Sequence, residues 1–308
     1  MQIQGSMDFR IPDMLGPDSV ANQNGFRIYD RAWRPKTHFF VYGLRHNPFN
    51  RVWVVNGDTF ETGLENIALP PQDHERITKC LVNAFFQNAF LGQAAYGGYM
   101  EGTTFPESLA PYHIHTQYST LSRFVLDNFG DSDEQVPLPL GPLDKTRNRQ
   151  QQSVTANGSG LIRWDIVEHT NIARSPHNTK GLQLSWGSPD VVYQSNTGGS
   201  SQSVTGVVAF RVAQFYPDAA LNPDATPLDL FVALSDGSNE ATVRLGAVAQ
   251  VPFPDRSGIC PMRTVRLPLD AFVAANPALD VTQIQSVALR LIGRDTGNIL
   301  ADDFELGN

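Results

Sequence analysis

The chain has 308 residues, of which 41% are hydrophobic and 18% charged, and a formal net charge of −8. That length accommodates two ordinary domains, each with its own core. The acidity argues against nucleic acid and acidic membrane surfaces as partners, since both are bound through a basic face that displaces counterions. No run approaches the ~20 uninterrupted apolar residues that a membrane span requires.

In chain order, Met1 and Ile3 alternate with polar residues before Gly5-Ser6-Met7-Asp8, which predicts a buried strand running into a turn. Pro12, Gly16 and Pro17 keep the next stretch a loop, and a short amphipathic helix is expected over residues 24–32. Thr37-His38-Phe39-Phe40-Val41-Tyr42 is aromatic and β-branched and reads as a second buried strand, followed by a loop carrying His46, Asn47, Pro48 and Asn50. From Asp73, placed as an N-cap after Pro70 and Pro71, the spacing of Ile77, Cys80, Leu81, Ala84 and Phe85 has a 3.6-residue period that continues to about Ala95. Phe86 and Phe90 make this helix apolar on a second side, so the helix is expected to be largely covered. Strand, helix, strand, loop, helix is the grammar of a parallel α/β sheet. Two parallel strands alone leave an edge and faces to be covered by an upstream segment, a partner chain, another copy or the β-rich half of the chain itself.

After Leu121 the pattern changes to short β-rich runs between turn clusters, at residues 123–129, 160–166, 181–186, 204–215, 228–234, 241–245, 264–269, 285–291 and 299–306. With almost no helical periodicity, apart from one turn near Pro268-Leu269-Asp270-Ala271-Phe272, this is an all-β sandwich of the jelly-roll kind. Val125-Leu126-Asp127-Asn128-Phe129 and Leu300-Ala301-Asp302-Asp303-Phe304 are similar and predict terminal strands lying side by side. The fold class is therefore α/β for residues 1–120 and all-β for residues 121–308, hinged near Thr116 to Ser122. Cys80 and Cys260 lie in separate halves and lack the CxxC spacing of a metal or redox site.

Gln4-Gly5-Ser6-Met7-Asp8 resembles the late strand of a serine α/β-hydrolase that delivers the catalytic acid, and Val41-Tyr42-Gly43-Leu44-Arg45-His46-Asn47 resembles the strand that delivers its histidine. The resemblance implies Asp8 as the carboxylate that orients an imidazole and His46 as the general base that takes a proton from a serine. On their residue types alone, Asp8 can also be a turn aspartate after a strand and His46 a loop histidine held by its neighbours. The Gly-x-Ser-x-Gly elbow and the oxyanion-hole loop of that family have no counterpart here, so the resemblance implies a portion of a carboxylic-ester hydrolase, inactive alone, cut from a longer reading frame or completed by a second chain.

The second half resembles the galactose-binding-like jelly rolls of secreted bacterial hydrolases, in its opening Asp127-Asn128-Phe129 and its closing residues 299–305. That resemblance implies a secreted or periplasmic location and a structural calcium with Asp127, Asp302 and Asp303 as ligands, no cofactor being required for catalysis. The same carboxylates also suit turns and strand edges. The alternative function is a non-catalytic module binding carbohydrate or polymer. Trp164, Trp186 and Tyr193 are its candidate sugar platforms, although their alternation is also that of core residues. His113 and His115 alternate as two metal ligands would, with no third in view, and an interdomain contact is the competing reading.

Overall fold

The aromatic run before Gly43 becomes the central strand of a small sheet in a computed structural model of the chain, which describes residues 1–5, 25–32, 35–45, 47–49, 68–130, 144–169, 175, 177–198, 206–215, 218–223, 228–249, 251 and 261–307. The chain divides into two compact units, Met1–Ser119 and Thr120–Asn308.

In the first unit, β1 (Gln2–Gly5) runs parallel to β2 (Lys36–Val41), with Ile3 opposite Phe39 and Gly5 opposite Val41. The helix α1 (Gly25–Arg31) lies between them in the chain. The parallel pair is the expected one. A third strand, β3 (Ile114–Ser119), adds antiparallel to the other side of β2, giving the order β1-β2-β3. Of this strand the sequence pattern signals only the alternation at His113 to His115.

The long helix α2 (Pro71–Ala89), capped at Pro70, starts three residues earlier than the Asp73 cap predicts. Proline at the first helical position is pre-set for helical φ and gives up only an N–H that would be orphaned there. Asp73 falls instead in the first turn, where its charge suits the helix dipole and pairs with Arg76 at 3.2 Å. His74, Ile77, Leu81 and Ala84 form the buried stripe, and the last three join Phe39, Val41 and Leu44 in the core. The opposite face of the sheet carries His38 and Phe40 against Phe26 of α1, at ring distances of 4.4 and 5.2 Å. The helix, expected to be largely covered, leaves Phe86 and Phe90 exposed. A short helix α3 (Gly97–Glu101) follows.

The second unit contains β4 (Arg123–Asp127), β5 (Val154–Asn157), β6 (Leu161–Glu168), β7 (Lys180–Trp186), β8 (Val192–Asn196), β9 (Val207–Gln214), β10 (Phe231–Ser235), β11 (Glu240–Arg244), β12 (Arg263–Pro268), the helix α4 (Leu269–Ala275), β13 (Ser286–Arg290) and β14 (Gly297–Gly307). They form two antiparallel sheets, one ordered β11-β10-β13-β8-β5 and the other β12-β9-β14-β7-β6 with β4 also on β14. Alternation sends Val208, Phe210 and Val212 of β9 into the space between the sheets, where they meet Val232, Leu234 and Leu289 from the other layer. Phe304 stacks on Phe210 at 5.3 Å and fixes the middle of this core.

The terminal strands do lie side by side: Phe304 pairs with Asp127 and Gly307 with Arg123. One side of β14 is shared, its first half with β7 and its second with β4, while β9 runs along the other side. The change of partner coincides with a register shift between Asp302 and Glu305, where Asp303 has a φ of 49° and its N–H donates to Asp302 Oδ1 at 2.8 Å. A bulge of this kind bends the strand and lets one edge serve two neighbours.

The face of the six-stranded sheet turned away from the core is buried, and beside a small apolar cluster of Ala213, Met262 and Leu300 it carries a polar network. Gln183 donates to Asn298 at 3.2 Å, Asn298 donates to Asp218 at 2.9 Å, and Arg211 is ion-paired with both Asp302 and Asp303. Buried polar groups persist only when partnered, and this network supplies those partners.

Candidate functional site

The proposed acid and base follow β1 and β2 in the sequence. Asp8 and His46 themselves, with Asn50 and Cys260, fall outside the described residues. The strand tips that lead to them are described. A Cβ on Gly5 would lie 2.1 Å from the Leu44 carbonyl oxygen, so glycine is what allows the end of β1 to abut the segment running toward His46. That segment is held twice more, by Leu69 N–H donating to Gly43 O at 2.9 Å and by Arg45 N–H donating to His74 Nε2 at 2.8 Å.

His74 was not singled out from the sequence. Its Nε2 accepts from Arg45, so the proton sits on Nδ1, which faces Pro70 O at 3.1 Å. Burial pushes its pKa down, and the Arg45 charge acts in the same direction, which keeps the ring neutral for this role. The signal that could have found it is position: a histidine in the first turn of a helix whose preceding loop returns to a strand tip.

Asp127, Asp302 and Asp303, expected to hold calcium, are engaged otherwise. Asp302 is fully buried against the Arg211 guanidinium, and Arg211 Nε lies 2.8 Å from Asp303. Arg211 thus supplies the positive charge a cation would supply. Asp127 accepts the Phe129 N–H at 2.9 Å, and burial pushes its pKa up to about 7, against the pull of Arg149. Among the described residues, no group of three or more His, Cys, Asp and Glu side chains is gathered that could hold a metal ion. The arrangement does not fit calcium, a hard cation that wants several ionised oxygens. His113 and His115 instead meet the Tyr42 ring edge-on, at 6.2 and 5.3 Å.

Of the three candidate platforms, Trp186 and Tyr193 belong to the sandwich core. Only Trp164, on β6, is half-buried. Trp164 and Ile166 lean on the core, while Val167, on the alternate face, packs beside Ala213 and Leu300. Along this strand runs an open groove of about 450 Å³ lined by Asp144, Lys145, Asp165, Ile166, Val167, Glu168 and Lys180. Lys145 donates to the Trp164 carbonyl at 3.0 Å and lies 5.4 Å from its ring centroid. Lys180 pairs with Glu168 at 3.3 Å, and Arg163 with Asp165 at 3.6 Å. Thr146 N–H, donating to Asp144, holds that carboxyl below the usual range and therefore ionised. The groove thus offers charged acceptors and donors along the rim of a sheet, a lining suited to hydrogen-bonding hydroxyls.

No family model and no curated protein matches this chain. Solved β-sandwich modules do align with it. The family 11 carbohydrate-binding module of the cellulosomal cellulase Lic26A-Cel5E of Clostridium thermocellum is 12% identical, covering 62% of this chain and 97% of its own, with a TM-score of 0.39. The family 30 carbohydrate-binding module of the cellulosomal cellulase Cel9D-Cel44B of Clostridium thermocellum is 10% identical, covering 50% and 90%, with a TM-score of 0.35. The CBM22-1 xylan-binding domain of Paenibacillus barcinonensis Xyn10C is 13% identical, covering 61% and 97%, with a TM-score of 0.34. Likenesses this distant carry no argument about ligand or activity.

Proposed function

We propose that the second unit is a non-catalytic module that binds carbohydrate or a similarly hydroxylated polymer in the groove beside β6. The observation that carries this reading is the groove itself: an open channel at a sheet edge, with the β6 carboxylates Asp165 and Glu168 set between Lys180 of β7 and Asp144 and Lys145 of the loop before β5. With Trp186 and Tyr193 in the core, ring stacking is limited to the exposed part of Trp164. Binding then rests on hydrogen bonds to partly solvated groups, each worth about 0.5–1.5 kcal/mol net, so affinities in the high-micromolar to millimolar range are expected.

Affinity electrophoresis of the full chain in gels containing neutral β-glucans, xylan or agarose tests this directly. Retardation by at least one polymer, lost in Asp165→Ala/Lys180→Ala with unchanged circular dichroism, is the expected result. Mobility unaffected by every polymer, or retardation that survives the double substitution, overturns it.

A second reading concerns the first unit, as the acid- and histidine-bearing portion of a serine ester hydrolase. The parallel pairing of β1 with β2, in register at Gly5 and Val41, supports it, because the chain departs toward Asp8 and His46 from two adjacent strand tips. Lacking a nucleophile elbow, the chain alone is expected to give no burst of product from p-nitrophenyl acetate under stopped-flow conditions. A burst stoichiometric with protein contradicts that expectation.

A further inference from the structure

The last two turns of α2 present an aromatic wedge that neither reading uses. Phe86, Phe90 and Leu91 are 52, 68 and 64% exposed. The wedge is pre-formed: Phe86 and Phe90 stack at 5.2 Å, and Phe85, which packs against the core of the first unit, meets each of them edge-on at 5.8 Å. The turn beyond the helix is fixed as well, with Phe90 and Leu91 N–H both donating to Phe86 O and Gln93 N–H donating to Gln87 O at 2.9 Å. Ordering these side chains on contact therefore costs little more entropy.

Two features decide what the wedge meets. The first is charge. From Cys80 to Met100 the sequence holds no Asp, Glu, Lys, Arg or His, whereas the chain as a whole carries −8. A charged partner finds nothing to pair with here, and an anionic surface is repelled by the whole molecule. The second is size. At about 200 Å² per large apolar side chain, the three exposed residues offer roughly 350 Å², less than half of the about 800 Å² per partner that a stable protein–protein interface buries. A wedge of that area does not by itself hold two protein surfaces together. It can be buried completely in a deformable apolar phase, which needs no complementary pocket.

We propose that Phe86, Phe90 and Leu91 insert into an electroneutral lipid–water interface, docking the first unit on it without spanning it. No helix among the described residues is long and apolar enough to cross a membrane, so the contact is superficial. This inference is independent of the groove beside β6.

Co-sedimentation of the full chain with phosphatidylcholine vesicles tests it. The partition coefficient is expected to fall at least tenfold in Phe86→Asp/Phe90→Asp, to be insensitive to 1 M NaCl, and to drop when phosphatidylserine replaces part of the phosphatidylcholine. Ile162→Asp, at an exposed position of β6, serves as control and retains wild-type partitioning, and Phe86→Ala/Phe90→Ala replaces the aspartate pair if that pair unfolds. Absence of vesicle binding, or binding equal in wild type and wedge variants, overturns the proposal. So does a dimeric wild type that becomes monomeric in the wedge variants, which makes a second copy the occupant.

Discussion

Asp127 is a carboxylate whose burial the fold has only partly compensated. It accepts the Phe129 N–H and feels Arg149, yet burial dominates and lifts its pKa from an ordinary 3.8 to about 7. The neighbouring Tyr193 hydroxyl, buried and subject to the Asp127 charge, is pushed well above its usual value. Because the folded state holds the Asp127 proton more tightly than the unfolded state, stability is greatest below about pH 4 for this group, declines as pH rises toward 7, and is flat above. Asp127→Asn keeps an oxygen acceptor for Phe129 N–H and removes the charge. It is expected to reduce the loss of denaturant stability between pH 5 and pH 8 and to be on the order of 1–3 kcal/mol more stable than wild type at pH 8. An unchanged pH slope in urea titrations would show that Asp127 is not buried as a titrating group. Glu305 is pushed the same way by burial, opposed by its close pairing with Arg123, so a residual slope remains in the variant.

At the scale of elements, Gly5 is the position on which the parallel pair turns. A methyl group there meets the Leu44 carbonyl at 2.1 Å, and backbone cannot move aside as a flexible side chain can. Gly5→Ala is expected to cost about 1–3 kcal/mol by overpacking. Amide exchange should quicken in β1 and β2 and stay unchanged in β9 and β14, whereas exchange rates in β1 and β2 like those of wild type would place no close contact at Gly5. The same scale shows what could be read from residues alone. β2, α2, β7 and β9 were legible because long runs of apolar or aromatic residues keep one period over most of their length. β5 and β8 were not, since Val-Thr-Ala-Asn and Val-Tyr-Gln-Ser-Asn are short, polar at alternate positions and recruited by pairing with each other and with β13. The helix bearing Phe86 and Phe90 was misread as largely covered because a periodic pattern reveals which side of a helix is apolar and not whether anything packs on it.

For the molecule as a whole, the two units have separate cores, and the sequence marks the change of grammar between them. The pairing of the first and last strands of the sandwich was legible in the likeness of their residues, while β6 ends its sheet, paired with β7 alone among the described strands. The groove beside β6 was not legible. It is lined from three stretches, around Asp144, Asp165 and Lys180, whose approach depends on the antiparallel pairing of β6 with β7 and on the loop before β5. Trp164 drew notice as an aromatic residue, while the charges that surround it were indistinguishable in sequence from any solvated strand edge. Hydrogen–deuterium exchange of the full chain, with and without a saturating soluble oligosaccharide from whichever polymer retards it, tests the binding account most directly. Protection confined to residues 144–145, 163–168 and 180 is predicted; protection centred on β10 and β13, in the first unit, or nowhere would contradict it.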